Sequence, residues 1–204
     1  LDGDWKFHWA PDPGSRPKDF YQTEYDVSSW DAIPVPSSWN IYGIQKDGSQ
    51  KYGTPIYVNQ PVIFQHSVKV DDWRGGVMRT PPANWTTYKD RNEVGSFRRD
   101  FEIPQDWDGR EVFISFDGVD SFFYLWINGQ YVGFSKNSRN TANFNITPYL
   151  QKGKNTVAAE VYRSSDGSFL EAQDMFRLPG IFRTVDLYSV PKVHFRDLVA
   201  TPDL

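Results

Sequence analysis

Short runs in which apolar and polar residues alternate recur along this chain, and they constrain its fold more than any other feature. Residues Gly3–Trp9 place Trp5, Phe7 and Trp9 on one face and polar side chains on the other, the period of a half-buried strand. Similar alternation returns in the segments 96–103, 110–117, 155–163 and 181–190. No segment keeps the 3.6-residue period of an amphipathic helix. The pattern predicts an all-β fold of short antiparallel strands, a sandwich or a barrel.

One turn is specified strongly. Asn128-Gly129 lies between the apolar runs 121–127 and 131–135. Both residue types tolerate positive φ, which a two-residue hairpin of type I′ needs at both central positions. The sequence therefore predicts a tight β-hairpin here.

Composition narrows the functional classes. The 204 residues are 39% hydrophobic and 24% charged, with a net charge of −4. A chain of this length can form one sizeable core. Its small negative net charge implies no attraction to nucleic acid or to a membrane surface. No cysteine is present, which excludes disulfides and thiolate chemistry. Because the chain opens on Leu1 and shows no leader, we expect it to be a piece of a longer protein, with the compartment open between bacterial cytoplasm and periplasm.

Charged residues stand among apolar ones in the segment 168–183. Glu171, Asp174 and Arg177 are each three residues apart, and charges in apolar surroundings are costly unless they are paired or face a cleft. Two readings stay open: a local ion pair with Arg177, or a carboxylate at position 174 that faces a ligand. A complete pair of catalytic carboxylates in this segment is disfavoured, since glycoside hydrolysis needs two of them on opposite sides of the bond.

Asn59 is a second candidate ligand-binding residue. It belongs to the phrase GTPIYVNQP, where Pro55 and Pro61 restrict the backbone on both sides. An amide carries both a donor and an acceptor, so a rigidly held asparagine is suited to recognise sugar hydroxyls. Capping of a turn is the alternative role.

The tryptophans divide into two predicted groups. Those in alternating strands are expected in the core: Trp5, Trp9 and Trp126. Those in the irregular region from about residue 34 to residue 93 are candidates for an exposed sugar-stacking platform: Trp39, Trp73 and Trp85.

Several phrases together resemble a known family. The segments IPVPSSW, YGTPIYVN, FDGVDSFFYLWINGQYVGFSKNSR and DGSFLEAQDMFRLPGIFR are similar to the N-terminal sugar-binding domain of glycoside hydrolase family 2, and to the large β-galactosidases in particular. The likeness covers nearly the whole chain and departs between about Val62 and Glu93. It implies an all-β, galactose-binding-domain-like jelly-roll β-sandwich over residues 1–190. Residues 191–204 would form a linker and the start of an immunoglobulin-like domain, followed by a (β/α)₈ barrel.

The resemblance also implies a division of labour. Both catalytic glutamates of the family lie in the barrel, so this chain is expected to be inactive alone and to contribute to the rim of the active site. Asn59 matches the family's substrate-contacting asparagine. Asp174 matches the aspartate that binds galactose hydroxyls and helps to hold a sodium ion. Magnesium is a further candidate ion in the full-length enzyme, and none is expected for the chain alone.

The implied partners are a β-galactoside, the downstream domains and, for the full-length enzyme, further copies in a homo-oligomer, with neither nucleic acid nor membrane. Two alternatives remain at this level. One is a freestanding carbohydrate-binding module, and the other is the same domain from a β-glucuronidase or a β-mannosidase.

Overall fold

The computed structural model describes residues 1–53, 55–58, 92–171 and 175–202, which are almost entirely strand and connecting turns. One short helix, α1, spans Trp39–Tyr42, and 3₁₀ turns span Gln105–Trp107, Thr147–Tyr149 and Asp166–Phe169. The strands are β1 Gly3–Ala10, β2 Asp31–Val35, β3 Ile56–Val58, β4 Val94–Glu102, β5 Glu111–Phe116, β6 Val119–Asp120, β7 Phe122–Ile127, β8 Gln130–Ser135, β9 Ala142–Asn145, β10 Lys154–Tyr162, β11 Met175–Arg177, β12 Gly180–Ile181 and β13 Val185–Val190. Within these ranges, no helix combines the length and the hydropathy that a membrane crossing requires.

Two antiparallel sheets form the body of the fold. The larger has the order β2-β1-β4-β10-β7-β8 and the smaller the order β13-β5-β9. Two additional pairings, β3 with β11 and β6 with β12, lie outside these sheets. The strands predicted from alternation are present, and the predicted all-β jelly-roll β-sandwich is confirmed.

The core lies between the two sheets. Strand β7 directs Phe123, Leu125 and Ile127 inward, each at most 2% exposed. They meet the inward side chains of β5, which include Ile114 and Phe116. Burial of each large apolar side chain contributes roughly 1.5–3 kcal/mol, so this layer is the main source of stability.

The predicted hairpin is confirmed. Asn128 has φ of 51° and Gly129 has φ of 78°, the values that favour these residue types. The Asn128 amide also donates to the Tyr149 carbonyl (2.9 Å) and accepts from the Thr156 N–H (2.8 Å). The turn is therefore fixed to the neighbouring strand as well as by its own dihedral angles.

Residues 11–30 cover part of the outer face of the six-stranded sheet. The buried Arg98 guanidinium donates to three carbonyls of this segment, those of Phe20, Thr23 and Tyr25, at 2.7–3.2 Å. Tyr21 stacks on Trp126 with ring centroids 4.8 Å apart. The prediction that Trp126 belongs to the core is wrong, because alternation along β7 directs it away from the inward residues. Trp5 is in the core as predicted, and Trp9 is partly buried at its margin.

Candidate functional site

Strand pairing brings the two predicted binding motifs to one place. In the antiparallel pair of β3 with β11, Val58 lies opposite Met175 and Ile56 lies opposite Arg177. The residue directly before Asn59 therefore lies beside the residue directly after Asp174. Asn59 and Asp174 themselves lie outside the described residues.

The turn before position 174 is anchored by Glu171. Its carboxylate accepts hydrogen bonds from the backbone N–H (2.8 Å) and the hydroxyl of Ser138, a buried residue between β8 and β9. The Arg177 guanidinium donates to the Glu171 carbonyl oxygen at 2.6 Å. Two of the three charges noted in the sequence thus fasten the start and the end of the segment that contains Asp174.

Asp120 is a buried carboxylate that the sequence reasoning missed. It lies on β6 opposite Gly180 of β12, and its side chain pairs with Arg139 at 3.3 Å. Burial raises the pKa of Asp120 to about 6, although the nearby guanidinium groups of Arg139 and Arg177 oppose the shift. Its only signal in the sequence is an aspartate two residues before the first phenylalanine of the aromatic strand β7.

A second buried network surrounds Glu93. Its carboxylate accepts from the Arg163 guanidinium at 2.6 Å, the Trp39 indole N–H at 3.0 Å and the Asn40 amide at 3.2 Å. Desolvation by burial lowers the pKa of Arg163, and the Glu93 carboxylate opposes this shift. Because all four residues are at most 7% exposed, removal of the carboxylate would leave a buried cation without its nearest anion.

The exposed platform predicted for Trp39 is wrong. Trp39 is fully buried, and its ring packs against Phe7 and Phe97 with centroids 6.0 and 6.2 Å away. The indole N–H can be buried at little cost because it donates a hydrogen bond to the Glu93 carboxylate. Trp73 and Trp85 lie outside the described residues.

Gly180 sets how closely the last strands approach α1. Its φ is +137°, and a Cβ at this position would lie 2.6 Å from the Ser37 carbonyl oxygen. The Ser37 N–H donates to the Ile181 carbonyl at 2.8 Å. Only glycine combines this backbone conformation with this contact.

The described residues offer no cage for a metal ion. Among them, no three His, Asp or Glu side chains are grouped in a way that would hold a cation. The carboxylates of Glu171 and Asp120 already accept from Ser138 and Arg139.

Comparison with known proteins identifies the family. The model for "Glycosyl hydrolases family 2, sugar binding domain" matches residues 1–191. The chain belongs to glycoside hydrolase family 2, as its sugar-binding domain. Its curated relatives include β-galactosidases of Halalkalibacterium halodurans, 41% identical over the whole chain, and of Priestia megaterium, 43% identical over 97% of it. The sugar-binding domain spans 18% and 17% of those proteins, and 31% of the β-galactosidase large subunit of Lactobacillus helveticus, to which it is 36% identical.

Solved structures agree on the fold of the sugar-binding domain. Bacteroides uniformis β-glucuronidase 2, covalently bound to cyclophellitol-6-carboxylate aziridine, aligns with a TM-score of 0.61 at 23% identity, over 94% of this chain and 17% of that one. A β-glycosidase from Bacteroides vulgatus aligns with a TM-score of 0.58 at 25% identity, over 93% of this chain and 20% of that one.

Proposed function

We propose that this chain is the non-catalytic sugar-binding domain of a retaining β-galactosidase that hydrolyses terminal β-D-galactosides. Asn59 and Asp174 would contribute to the rim of an active site that a barrel domain completes. The observation that carries the proposal is the pairing of β3 with β11, in a chain up to 43% identical to β-galactosidases. Two motifs far apart in sequence need this pairing to reach one sugar.

In this proposal the two residues have complementary roles. The Asp174 carboxylate accepts hydrogen bonds from galactose hydroxyls, and the Asn59 amide both donates and accepts. On either side of Asp174 along the chain, Glu171 accepts from the Ser138 N–H and Arg177 of β11 donates to the Glu171 carbonyl. Sodium, if bound, would be a positive partner for hydroxyl oxygens, with Asp174 as the ligand from this chain, and magnesium would belong to the other domains.

Catalysis is assigned to the barrel. Retaining hydrolysis proceeds through a covalent glycosyl-enzyme intermediate between two carboxyl groups about 5–5.5 Å apart. The chain alone is expected to leave an aryl β-galactoside intact. Turnover by the pure chain that Glu171→Gln abolishes would overturn this assignment.

The segment after β13 supports a multidomain arrangement. Four apolar side chains in residues 191–202 are 82–93% exposed: Val193, Phe195, Leu198 and Val199. We propose that this segment links to an immunoglobulin-like domain, which would cover these side chains, and that the full-length enzyme forms a homo-oligomer.

The decisive substitution is Asp174→Asn in the full-length enzyme. It keeps the size of the side chain but removes its charge, and charge-assisted hydrogen bonds contribute roughly 1.5–3 kcal/mol. We expect kcat/KM for an aryl β-galactoside to fall about ten- to a hundred-fold, any sodium dependence to weaken, and the Tm to stay unchanged. Asp106→Asn, at an exposed position beyond the opposite end of β4, is the matched control and should behave like wild type.

The competing role for Asp174 is a structural ion pair with Arg177. It predicts the reverse result for Asp174→Asn, namely a lower Tm with nearly normal kinetics. Measurement of both quantities on one variant separates the two roles.

The alternative functions have their own tests. A β-glucuronidase or β-mannosidase would cleave the corresponding aryl glycoside faster than the galactoside. A freestanding carbohydrate-binding module would bind galactose with micromolar affinity in calorimetry without any other domain, whereas one asparagine and one aspartate offer few contacts for capture.

A further inference from the structure

A cleft lies on the outer face of the six-stranded sheet, on the side away from the core. It measures about 450 Å³, within the usual range for small-ligand sites. The residues that matter for the argument are Asn92, Phe122, Tyr124, Tyr162, Ser164 and Asp166. We call it the outer cleft.

The apolar part of the outer cleft is aromatic. Phe122 and Tyr124 on β7 meet edge to face with ring centroids 4.7 Å apart, and Tyr124 meets Tyr162 of β10 at 6.1 Å. All three rings are half-buried, so part of each is open to solvent. The Tyr162 hydroxyl donates to the buried Glu160 carboxylate at 2.7 Å, which fixes that ring. Rigid, partly open rings of this kind suit the C–H face of a pyranose.

The polar part contains a buried hydroxyl with an unused hydrogen-bonding capacity. Ser164 is 3% exposed, and its Oγ has no hydrogen-bond partner among the described residues. The Asn92 side chain holds the Ser164 backbone through two 2.9 Å hydrogen bonds. An unsatisfied buried hydroxyl costs about 1–3 kcal/mol, and a ligand hydroxyl would remove that cost.

The rim adds a carboxylate. Asp166 pairs with Lys136 at 2.9 Å and accepts from the Gly167 N–H at 2.9 Å, while its side chain stays 74% exposed. A fixed, accessible carboxylate is a strong acceptor for sugar hydroxyls. Aromatic rings and a carboxylate therefore line one cleft, and Ser164, with its unsatisfied hydroxyl, lies at its buried edge.

We propose that the outer cleft is a second carbohydrate site, which binds one or two pyranose units of a neutral galactan. Its lining residues belong to other segments of the chain than the two motifs that contain Asn59 and Asp174. The choice of galactan rests on the proposed function, whereas the choice of a neutral pyranose rests on the cleft itself. An open cleft can bind sugar units in the interior of a polysaccharide, whereas a site for terminal galactosides binds only the ends of the polysaccharide.

The test is affinity electrophoresis of the full-length protein in gels that contain β-1,4-galactan. Internal units of this polymer far outnumber its ends, so retardation reports on the outer cleft. Tyr124→Ala should weaken the affinity about ten-fold and Ser164→Ala several-fold, with unchanged kcat/KM for an aryl β-galactoside. Tyr188→Ala is the matched control, since Tyr188 is a 38% exposed tyrosine on β13 of the three-stranded sheet and does not line the cleft.

The proposal is wrong if the wild-type protein is not retarded by any neutral polysaccharide, or if Tyr188→Ala weakens retardation as much as Tyr124→Ala. Should Tyr124→Ala fail to fold, Ser164→Ala decides, because it removes a hydroxyl that has no hydrogen-bond partner among the described residues. Retardation by hydroxyethylcellulose but not by galactan, still lost in Ser164→Ala, would support the outer cleft and contradict the galactoside specificity of the proposed function.

Discussion

Replacement of Glu93 by glutamine tests the buried network beneath the candidate site. Glu93 is the anion that faces the buried Arg163, and it also accepts from Trp39 and Asn40. Glutamine keeps the volume and one carbonyl acceptor but removes the charge. The Arg163 guanidinium would then lose its nearest anion in a region of low dielectric constant.

The expected cost follows from burial. Loss of one partner of a buried ion pair costs about 3–5 kcal/mol, because the remaining charge is uncompensated. Since glutamine preserves part of the hydrogen bonding, we expect the free energy of unfolding to fall by about 3 kcal/mol. In a domain of this size each kcal/mol lowers the Tm by about 2–4 °C, so the Tm should fall by about 6–12 °C.

Urea and thermal unfolding of the 204-residue chain measure this change. Lys154→Gln is the control: it breaks the Lys154–Asp100 pair, whose side chains are 68% and 47% exposed, and it should cost less than about 1 kcal/mol. The double variant Glu93→Gln/Arg163→Met should lose less than the sum of the single changes, because it removes the buried cation together with the carboxylate that faces it. Equal stability of Glu93→Gln and Lys154→Gln would refute the reasoning.

Three further substitutions test other parts of the fold. The pKa of Asp120 in the folded chain, about 6, lies above the ordinary aspartate value of 3.8. Folding therefore favours the protonated form, so its contribution to stability is greatest below about pH 4 and declines as the pH rises through about 6. Between pH 4 and pH 7 this decline amounts to about 3 kcal/mol in the free energy of unfolding. Asp120→Asn should remove it, which urea unfolding at several pH values would measure. Gly180→Ala should lower the free energy of unfolding by at least about 1–3 kcal/mol, because it adds a clash with the Ser37 carbonyl to the strain of positive φ. Gly153→Ala should lower it less, because the space around that Cβ is open and only the strain of positive φ remains. Arg98→Met should release residues 11–30 from the sheet, visible as faster proteolytic cleavage there, and unchanged cleavage would contradict the anchoring role.

Much of the fold follows from local patterns in the sequence. When the inward residues of a strand are apolar and its outward residues are polar, the sequence alone indicates which face is buried, as residues 4–8 of β1 show. Asn128-Gly129 specifies its turn because the required dihedral angles are a property of those two residues. The family motifs, which are also local phrases, led to the sugar-binding domain of glycoside hydrolase family 2.

The candidate site was predictable only in part. The motifs indicated Asn59 and Asp174, but nothing local indicated that β3 and β11 pair. The roles of Glu171 and Arg177 as anchors depend on Ser138 and on a backbone carbonyl. Hydrogen bonds of this kind join segments whose approach is set by the rest of the fold.

Local residue patterns are enough to indicate which segments are strands, where the tight hairpin turns and which family the chain resembles. The environment of each ambiguous side chain depends instead on tertiary packing. Trp39 is buried because Glu93 and Arg163, 70 residues apart in sequence, meet beside it. Trp126 lies on the outer face, and β7 carries large apolar or aromatic residues on both faces. The free energy of a buried charge or indole depends on partners from distant segments, and only the folded chain brings those partners within reach.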